Sequence, residues 1–491
     1  MRYISTRDNI PAVSAAQAIS LGMVPSGGLF VPESVASVFS EELLHTSYQE
    51  LAFRVLNPLL SDFSHEQIRD CIESAYSSEN FDIPQTVGLK NVGSSRYVLE
   101  LWHGPTAAFK DVALQIMPHF MKCSKEKIGD TSHTLILVAT SGDTGKAALE
   151  GFIDCEGISI AVFYPHEGVS EIQKLQMVTT GGSNTHVVAV RGNFDDCQNA
   201  VKQLFGDESL RNRFSDQNVT LSSANSINWG RLCPQIVYYF KAYLTLVERN
   251  EISFGEQIDF SVPTGNFGNI LAGFYAKKMG LPVRKLICAS NCNNVLTDFF
   301  KTGTYNRNRE FFRTSSPSMD ILISSNLERF LFEIAAHDGS KISDWYDQLS
   351  KMGSFTVDTE TIKEMGSVIE ADWVDESGVL DTIGNIYKES GYLIDTHTAV
   401  AAAVAQRRKN DGTAVVIAST ASPYKFSGPV LKALGSELGK DEFHSVSMLE
   451  DRTGVKIHRA VDGLKEKAVR HDEVIGVDDI AKTVECIVSG V

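Results

Sequence analysis

Short apolar runs alternate with longer amphipathic stretches along most of the chain from Tyr97 onward. Seven such runs are YVLEL at 97–101, TLILVAT at 134–140, ISIAVFY at 158–164, THVVAV at 185–190, IDFSVPT at 258–264, RKLICAS at 284–290 and AVVIAST at 414–420. Strands of a parallel sheet form continuous apolar runs, because helices cover both faces of the sheet. The pattern therefore predicts an α/β fold with largely parallel sheets.

The flanks of this alternating region have different patterns. Residues 1–92 contain a Gly-rich turn at Ser26-Gly27-Gly28 and amphipathic helical patterns such as EQIRDCIESAYSS. Within the alternating region itself, residues 321–407 are expected to be mostly helical, and residues 301–320 and 407–413 are expected to be loops. The last 60 residues mix helix with lone strands. We therefore predict three parts: a smaller N-terminal domain at 1–92, a central region at 93–430, and a segment at 431–491 packed on the central region.

Composition excludes several classes of protein. A chain of 491 residues with 43% hydrophobic and 22% charged residues has the composition of a globular protein and exceeds what one core usually serves. The net charge of -16 opposes binding to nucleic acid or to an anionic membrane, although it leaves a small anionic ligand possible. The eight cysteines form no C-x-x-C pair and the start is not a signal peptide, so we expect reduced thiols, a cytoplasmic location and no metal site.

The first chemical motif follows the run TLILVA. Residues Thr140-Ser141-Gly142-Asp143-Thr144-Gly145 connect this strand to a helix. Hydroxyl groups, flexible backbone and a helix N-terminus together can hold an anion. The alternative is an ordinary capped helix start, because Ser, Thr and Asp are also good capping residues.

A second glycine-rich turn, Thr264-Gly265-Asn266-Phe267-Gly268-Asn269, follows the run IDFSVP. It lacks the lysine of a Walker A loop and the spacing of a dinucleotide fingerprint, which argues against a nucleotide-binding protein. Backbone N–H groups at a helix N-terminus would suit a phosphate monoester. A plain tight turn is the alternative.

The third motif is LELWHGPTAAFKDVALQ, in which Lys110 follows a Gly-Pro turn and three apolar residues. An isolated lysine is usually solvated at the surface. In an apolar setting, however, a lysine can lose its proton and act as a nucleophile. Its presence together with two anion loops on one α/β chain favours that second interpretation.

Four motifs in this order, HGPTAAFKD, TSGDTGKAA, SANSINWGR and PTGNFGN, resemble the threonine synthase family. The similarity begins at MRYISTR and continues to TASPYKF at 420–426. It implies a pyridoxal-phosphate-dependent fold of the tryptophan synthase β type. It also implies an enzyme that converts O-phospho-L-homoserine and water into L-threonine and phosphate, working as a monomer or homodimer.

The resemblance assigns roles to individual residues. Lys110 would bind pyridoxal 5'-phosphate covalently and move protons, Asp143 would lie near the phenolic oxygen of the cofactor, and Thr420 would face its pyridine nitrogen. The cofactor phosphate would bind Gly265, Asn266, Phe267, Gly268 and Asn269. The substrate carboxylate would bind Ser141, Gly142, Thr144 and Gly145. The substrate phosphate would bind Ser223, Asn225, Ser226 and Arg231, where a guanidinium can contact two phosphate oxygens.

Some features depart from the family pattern or leave alternatives open. The family often has TAHPAKF where this chain has Ser422 in place of His and Tyr424 in place of Ala. A phospho-lyase on the same fold, producing a keto acid, is one alternative function, and a binding protein without turnover is another. Since early entry of water would divert the reaction, we also expect a smaller subdomain at about 100–240 to close over the substrate.

Overall fold

The computed structural model describes residues 1–140, 142–408 and 411–490. The strands are β1 Tyr3–Ser5, β2 Phe30–Pro32, β3 Gly88–Asn91, β4 Arg96–Glu100, β5 His133–Ala139, β6 Ile158–Pro165, β7 Thr185–Arg191, β8 Val219–Ser222, β9 Ile258–Pro263, β10 Val283–Ser290, β11 Thr304–Asn306, β12 Ser354–Thr356, β13 Ile369–Trp373, β14 Val415–Ser419 and β15 Val474–Gly476. All seven strands predicted from apolar runs are confirmed.

The α-helices are α1 Ala15–Leu21, α2 Tyr48–Leu56, α3 His65–Ala75, α4 Lys110–Leu114, α5 Met117–Ile128, α6 Asp143–Phe152, α7 Glu171–Val178, α8 Phe194–Gly206, α9 Glu208–Asp216, α10 Trp229–Leu232, α11 Pro234–Glu248, α12 Gly268–Lys278, α13 Val295–Thr302, α14 Leu327–Ile334, α15 Gly339–Met352, α16 Thr359–Val368, α17 Glu376–Ser390, α18 Thr396–Arg407, α19 Ser427–Ala433, α20 Glu442–Thr453 and α21 Ile480–Ser489. Short 3-10 helices lie at Glu41–Leu43, Pro317–Met319, Pro423–Phe426 and Val477–Asp479. No helix in the described part of the chain is long and apolar enough to cross a membrane.

The larger sheet has six strands in the order β13-β10-β9-β14-β4-β3, and only β3 runs antiparallel to its neighbour. Successive side chains of a strand point to opposite faces. Leu286 and Cys288 of β10 accordingly pack in one core cluster with α11 and α12, whereas Ile287 and Ala289 pack in another with α18. The expected parallel sheet with helices on both faces is therefore confirmed.

The smaller sheet has five parallel strands in the order β15-β7-β6-β5-β8. One face packs on α5 and α6 in the main core, and the other packs on α8, α9 and α21 in a separate cluster. Strand β15 and helix α21 come from the last 20 residues, so the end of the chain completes this sheet.

In the N-terminal residues, β1 and β2 form a short antiparallel pair with α1 between them in sequence, and α2 and α3 follow. These helices pack on the central region, mainly α1 on α5 and α2 on α11, and they share its main core cluster. A smaller N-terminal domain is therefore present. The exact boundaries at 92 and 430 stay predictions.

Three strands, β11, β12 and β13, lie where the sequence indicated helix or loop. Strand β13, within the stretch expected to be mostly helical, pairs with the edge of the larger sheet. Of its residues IEADW only Ile369 is buried and two are acidic, so it lacks the apolar run by which a central strand is recognised. Strand β11 lies in the predicted loop at 301–320 and forms a short antiparallel pair with β12.

Candidate active site

A cavity of about 300 Å³ lies where strand ends of both sheets come together. Thr140 follows β5 of the smaller sheet, whereas Thr264 and Thr420 follow β9 and β14 of the larger sheet. Ligands of α/β proteins usually bind outside the carboxyl ends of parallel strands. Most of the predicted site residues line this cavity together: Lys110, Thr144, Ser223, Asn225, Ser226, Arg231, Gly265, Asn266, Phe267, Gly268, Asn269 and Thr420.

Lys110 is the first residue of α4, and its side chain is 8% exposed. The backbone N–H of Phe109 donates to the Thr420 carbonyl (2.9 Å), which ties the loop before Lys110 to the end of β14. Lys110 Nζ lies 3.3 Å from Asp143 Oδ2 and 3.4 Å from Ser318 Oγ. Burial lowers the pKa of the Lys110 ammonium, although the Asp143 carboxylate opposes this effect. A lysine in these surroundings can act as a nucleophile and as a base.

Asp143 begins α6 and connects two lysines. Its Oδ1 accepts from Lys425 Nζ at 2.7 Å and from Gln173 Nε2 at 2.8 Å, and its Oδ2 accepts from Lys110. Burial alone would raise the pKa of the Asp143 carboxyl, but Lys110 and Lys425 hold that pKa well below its usual range. The ionised form of the carboxylate is therefore favoured, between the side chains of two lysines.

The loop at 264–269 has the shape of an anion site. A Cβ on Gly265 would lie 3.0 Å from the Ser318 carbonyl oxygen and 3.1 Å from Met319 Cα, so only glycine fits without a shift. Phe267 adopts the left-handed conformation with φ 63° and precedes Gly268, the first residue of α12. The first N–H groups of a helix have no acceptor within the helix, and they attract an anion.

Asn269 supplies a second observation at the same loop. Its Oδ1 accepts from the hydroxyl groups of Tyr238 (2.6 Å) and Tyr239 (2.7 Å), which fixes the orientation of the amide. Its Nδ2 is buried and has no hydrogen-bond partner in the described residues. A buried donor without a partner is costly. A phosphate group at this loop would satisfy it, so the residues present fit the phosphate of pyridoxal 5'-phosphate.

Arg231 on α10 indicates a second anion site in the same cavity. It is 4% exposed, and its NH1 donates to the Ala224 carbonyl at 2.7 Å. Within the described ranges, no carboxylate forms an ion pair with Arg231 (the salt bridges involve other arginines and lysines). Burial lowers the pKa of the Arg231 guanidinium to about 10. A buried cation without a carboxylate partner points to an anionic ligand.

A serine bridge joins the two anion sites. Ser226 Oγ and Ser325 Oγ are 3.3 Å apart, and Ser325 Oγ donates to Asn266 Oδ1 at 3.2 Å. Ser223 is buried, and its hydroxyl accepts from the Asn225 N–H at 3.2 Å, which shapes the loop around Arg231. Two phosphate groups would therefore lie on neighbouring loops of one cavity.

The predicted carboxylate loop is only partly at the cavity. Thr144 lines it. The N–H groups of Gly142 and Gly145 both donate to Thr140 Oγ1, at 3.0 and 2.9 Å, and so lie behind the cavity wall. Ser141 lies outside the described residues. The roles of these residues in holding a carboxylate stay predictions.

The departures from the family pattern near β14 lie away from the cavity. Ser422 Oγ accepts from the Tyr424 N–H at 3.4 Å and caps the 3-10 helix at Pro423–Phe426. The Tyr424 hydroxyl donates to the Val455 carbonyl in the last part of the chain. Thr420 lines the cavity, whereas Ser419 accepts from Trp102 Nε1. Ser422 and Tyr424 thus stabilise structure outside the cavity, and neither residue lines the cavity.

Several residues of this region were not identified from the sequence. His397 and Ser318 line the cavity, and His397 Nε2 accepts from the Ser318 N–H at 3.2 Å. His397 Nδ1 then donates to Asp395 Oδ2 at 2.9 Å. Ser325 and Lys425 were also not predicted as site residues. They are far in sequence from their partners, and only the motif TASPYKF, which contains Lys425, carried any signal.

Comparison with protein-family models gives three consecutive matches. The N-terminal residues 2–76 match the model described as threonine synthase N terminus, and residues 85–420 match that of pyridoxal-phosphate dependent enzymes. Residues 398–472 match the model described as threonine synthase, C-terminal.

Individual proteins agree with these models. The chain is 38% identical over 438 residues to threonine synthase of Pseudomonas aeruginosa, covering 88% of this chain and 90% of that protein. It is 42% identical over 454 residues to human threonine synthase-like 1, covering 88% of this chain but 60% of that longer protein. Crystal structures of threonine synthase from Brucella melitensis with bound pyridoxal phosphate and from yeast have TM-scores of 0.88 and 0.86 at 34% and 32% identity, each covering 100% of this chain and 99% of the other.

Proposed function

Because the chain belongs to the threonine synthase family of pyridoxal-phosphate-dependent lyases, we propose that it converts O-phospho-L-homoserine and water into L-threonine and phosphate. The single observation that carries the proposal is Arg231, a buried guanidinium without a carboxylate partner beside the cofactor loop.

The charges of the cavity favour a phosphorylated amino acid as substrate. The loop at 265–269 has the donors for the cofactor phosphate, and Asn269 Nδ2 still needs an acceptor. Arg231 and Ser226 would form a second anion site, separate from the loop proposed for the cofactor phosphate. A substrate without a second anion would leave Arg231 buried and unpaired, which costs several kcal/mol in a low-dielectric site. The charges of the cavity therefore support a phosphorylated substrate over free serine or threonine.

The cofactor, when bound, supplies an electron sink for charge that develops on the substrate carbon atoms. The chain contributes the groups that move protons and balance charge. Lys110 Nζ is buried and has a lowered pKa, so it can accept and return a proton close to the substrate. Ser318 Oγ, 3.4 Å from Nζ, can hold the amine in orientation while it is free.

The departing phosphate would be stabilised by Arg231, Ser226 and Asn225. Donors already in place where charge develops need no reorganisation during the reaction. Arg231 is fixed by its bond to the Ala224 carbonyl, and Ser226 by its contact with Ser325. We propose that Thr420 contacts the ring nitrogen of the cofactor and that Thr144 and its loop contact the substrate carboxylate.

Water must enter only after the phosphate has left. We propose that residues at about 100–240 close over the substrate, as expected from the sequence. The proposal is supported by the composition of the cavity wall, since Thr144, Ser223 and Arg231 belong to that range while Gly265–Asn269 and Thr420 do not. Identical crystal structures of the free and substrate-bound enzyme at Thr144 would contradict it. The cytoplasmic location and the state as monomer or homodimer also stay predictions.

The experiment that tests the function uses the purified chain, pyridoxal phosphate and O-phospho-L-homoserine. Threonine, 2-oxobutyrate and inorganic phosphate are measured in the same sample. Threonine equal to phosphate would support the proposal. Phosphate accompanied by 2-oxobutyrate would assign the phospho-lyase reaction instead, and no phosphate from a correctly loaded enzyme would refute the substrate.

A further inference from the structure

We propose that Lys425 is a positioning residue for Lys110: its ammonium group holds the Asp143 carboxylate, so that the Lys110 amine is free to lose its proton and react with the aldehyde of the cofactor. The inference rests on the family's cofactor and does not depend on the proposed substrate. Lys425 is not among the residues that line the cavity, so it acts through Asp143.

The placement of Lys425 is unusual for a lysine. Its side chain is 0% exposed, at the 3-10 helix Pro423–Phe426 that follows β14. Lysines are almost never fully buried unless they are paired. Nζ lies 2.7 Å from Asp143 Oδ1 and donates to the Thr106 carbonyl at 3.0 Å. Asp143 is in direct contact with Lys110, and Thr106 lies a few residues before Lys110 in the same loop. The buried charge of Lys425 is therefore close to the proposed cofactor lysine.

Asp143 would otherwise oppose the chemistry of Lys110. An anion within about 4 Å stabilises the ammonium form of a lysine, whereas only the neutral amine attacks an aldehyde. With Lys425 present, Asp143 has a second cation at a shorter distance than Lys110 (2.7 against 3.3 Å). Lys425 also repels the charge on Lys110, and both effects favour the neutral amine.

Other charged groups around Lys110 do not replace the effect of Lys425 on the Lys110 amine. Arg231 also repels an ammonium on Lys110, but it belongs to the second anion site, and its charge is expected to be matched by a bound phosphate. Among the described residues, other titratable side chains that face this region are Asp111 on α4, His397 on α18, Asp320 after the 3-10 helix Pro317–Met319, and Lys202 on α8.

Asp111 lies near enough to Lys425 to interact with its charge, but the Asp111 carboxyl accepts from the Thr106 N–H and hydroxyl, and burial, the largest effect, raises its pKa to about 6. Asp320 accepts from Asn291, Asn293 and Thr314. Asp143 is thus the anion in direct contact with Lys110, and Lys425 is the second lysine in direct contact with Asp143.

The covalent step itself is balanced without another reagent. The Lys110 ammonium releases a proton to solvent, the amine forms a carbon–nitrogen double bond with the aldehyde carbon, and the aldehyde oxygen leaves as water. The rate of this step at a given pH follows the fraction of neutral amine. It can be measured as the appearance of the absorption band of lysine-bound cofactor.

The test compares full-length chains, freed of cofactor and then mixed with pyridoxal phosphate at a series of pH values. The variants are Lys425→Met, Lys425→Arg, Asp143→Asn and the double variant Lys425→Met/Asp143→Asn. Loss of one charged neighbour shifts a pKa by about one unit. Lys425→Met should therefore move the pH midpoint of band formation upward by about one unit and slow the reaction about tenfold below that midpoint.

The matched variants make the outcome specific. Lys425→Arg keeps the charge and should retain a midpoint close to that of the unmodified chain. In the double variant the anion is removed together with the cation, so only the direct repulsion between Lys425 and Lys110 is lost. Its midpoint should therefore differ from that of Asp143→Asn by less than the midpoint of Lys425→Met differs from that of the unmodified chain. An unchanged midpoint in Lys425→Met, or a double variant that stays as slow as Lys425→Met, would overturn the proposal and leave Lys425 a structural residue.

A second measurement avoids the cofactor altogether. The cofactor-free chains are treated briefly with acetic anhydride at each pH, and acetylation of Lys110 is quantified by mass spectrometry. The midpoint of Lys110 acetylation should move upward in Lys425→Met in the same direction as band formation. If Lys425→Met does not fold, the comparison of the double variant with Asp143→Asn still decides, since a large difference between them would contradict the proposed pairing.

Discussion

Replacing Arg231 by methionine should separate function from stability. In the absence of ligand, the Arg231 guanidinium is buried without a carboxylate partner and its pKa is lowered to about 10 by that burial. Removing a buried unpaired charge recovers about 1–4 kcal/mol. Loss of the bond to the Ala224 carbonyl costs about 1–3 kcal/mol. The two effects nearly cancel, so the ligand-free Arg231→Met protein should be as stable as the parent or slightly more stable.

Activity should respond in the opposite way. Removing one partner of a buried, hydrogen-bonded charge pair costs about 2–5 kcal/mol, which corresponds to a loss of about 30- to 5,000-fold in kcat/KM. Added inorganic phosphate should raise the thermal midpoint of the parent protein, because it binds the folded state. In Arg231→Met the part of this increase due to the substrate-phosphate site should disappear.

Arg329 provides a matched control. It is also fully buried, and burial lowers its pKa to about 10 as well. Its guanidinium, however, donates to the Phe30 carbonyl (2.8 Å), to Asn326 Oδ1 (2.6 Å) and to the Ile227 carbonyl. Breaking three such bonds should destabilise Arg329→Met by at least about 3 kcal/mol.

The assays are thermal unfolding of both cofactor-free variants with and without phosphate, and steady-state kinetics of the loaded proteins. If Arg231→Met is destabilised as strongly as Arg329→Met, Arg231 is a structural residue and the reasoning from its missing partner fails. The same conclusion follows if Arg231→Met keeps full kcat/KM.

Three further predictions concern the cofactor. Asn269→Ala removes the unpaired buried Nδ2 donor and should weaken pyridoxal phosphate binding about 10- to 100-fold, measured by fluorescence titration; unchanged affinity would mean that the phosphate does not bind at this loop. Gly265→Ala should weaken cofactor binding, because the added Cβ would crowd the Ser318 carbonyl. The control is Gly366→Ala in α16, where an added Cβ has no neighbour within 4 Å. This control should leave cofactor binding unchanged and protein stability equal or higher. The rate of cofactor capture should rise with pH and level off below the ordinary lysine pKa of about 10.5, because Lys110 loses its proton at a lower pH than an exposed lysine. A plateau reached only above that value would contradict the lowered pKa of Lys110.

The positions of strands and site loops could be predicted from the sequence because their signals are local. Runs such as TLILVAT are apolar on both faces, and their ends carry the glycine and hydroxyl residues that surround the cavity. Lys110, Arg231 and the loop at 265–269 meet there because parallel strands place their carboxyl ends at one edge.

Other features depend on contacts that no local pattern reveals. Asp143 and Lys425 are 282 residues apart in sequence yet form one ion pair, and Ser325 reaches Ser226 across 99 residues. Gly142 and Gly145 look like free anion donors in the motif. In the fold, however, the Thr140 hydroxyl accepts both of their N–H groups. Strand β13 escaped prediction because an exposed edge strand needs no apolar run.

The most direct test of the proposed reaction is to run it in water enriched in oxygen-18 and to analyse the products by mass spectrometry. Elimination followed by addition of water breaks the carbon–oxygen bond of the substrate. We therefore expect threonine with one oxygen-18 atom in its hydroxyl group and an equal amount of phosphate without oxygen-18. Homoserine with labelled phosphate would indicate simple hydrolysis of the phosphate ester, and 2-oxobutyrate in place of threonine would indicate a lyase. Either result would contradict the proposed threonine synthase activity.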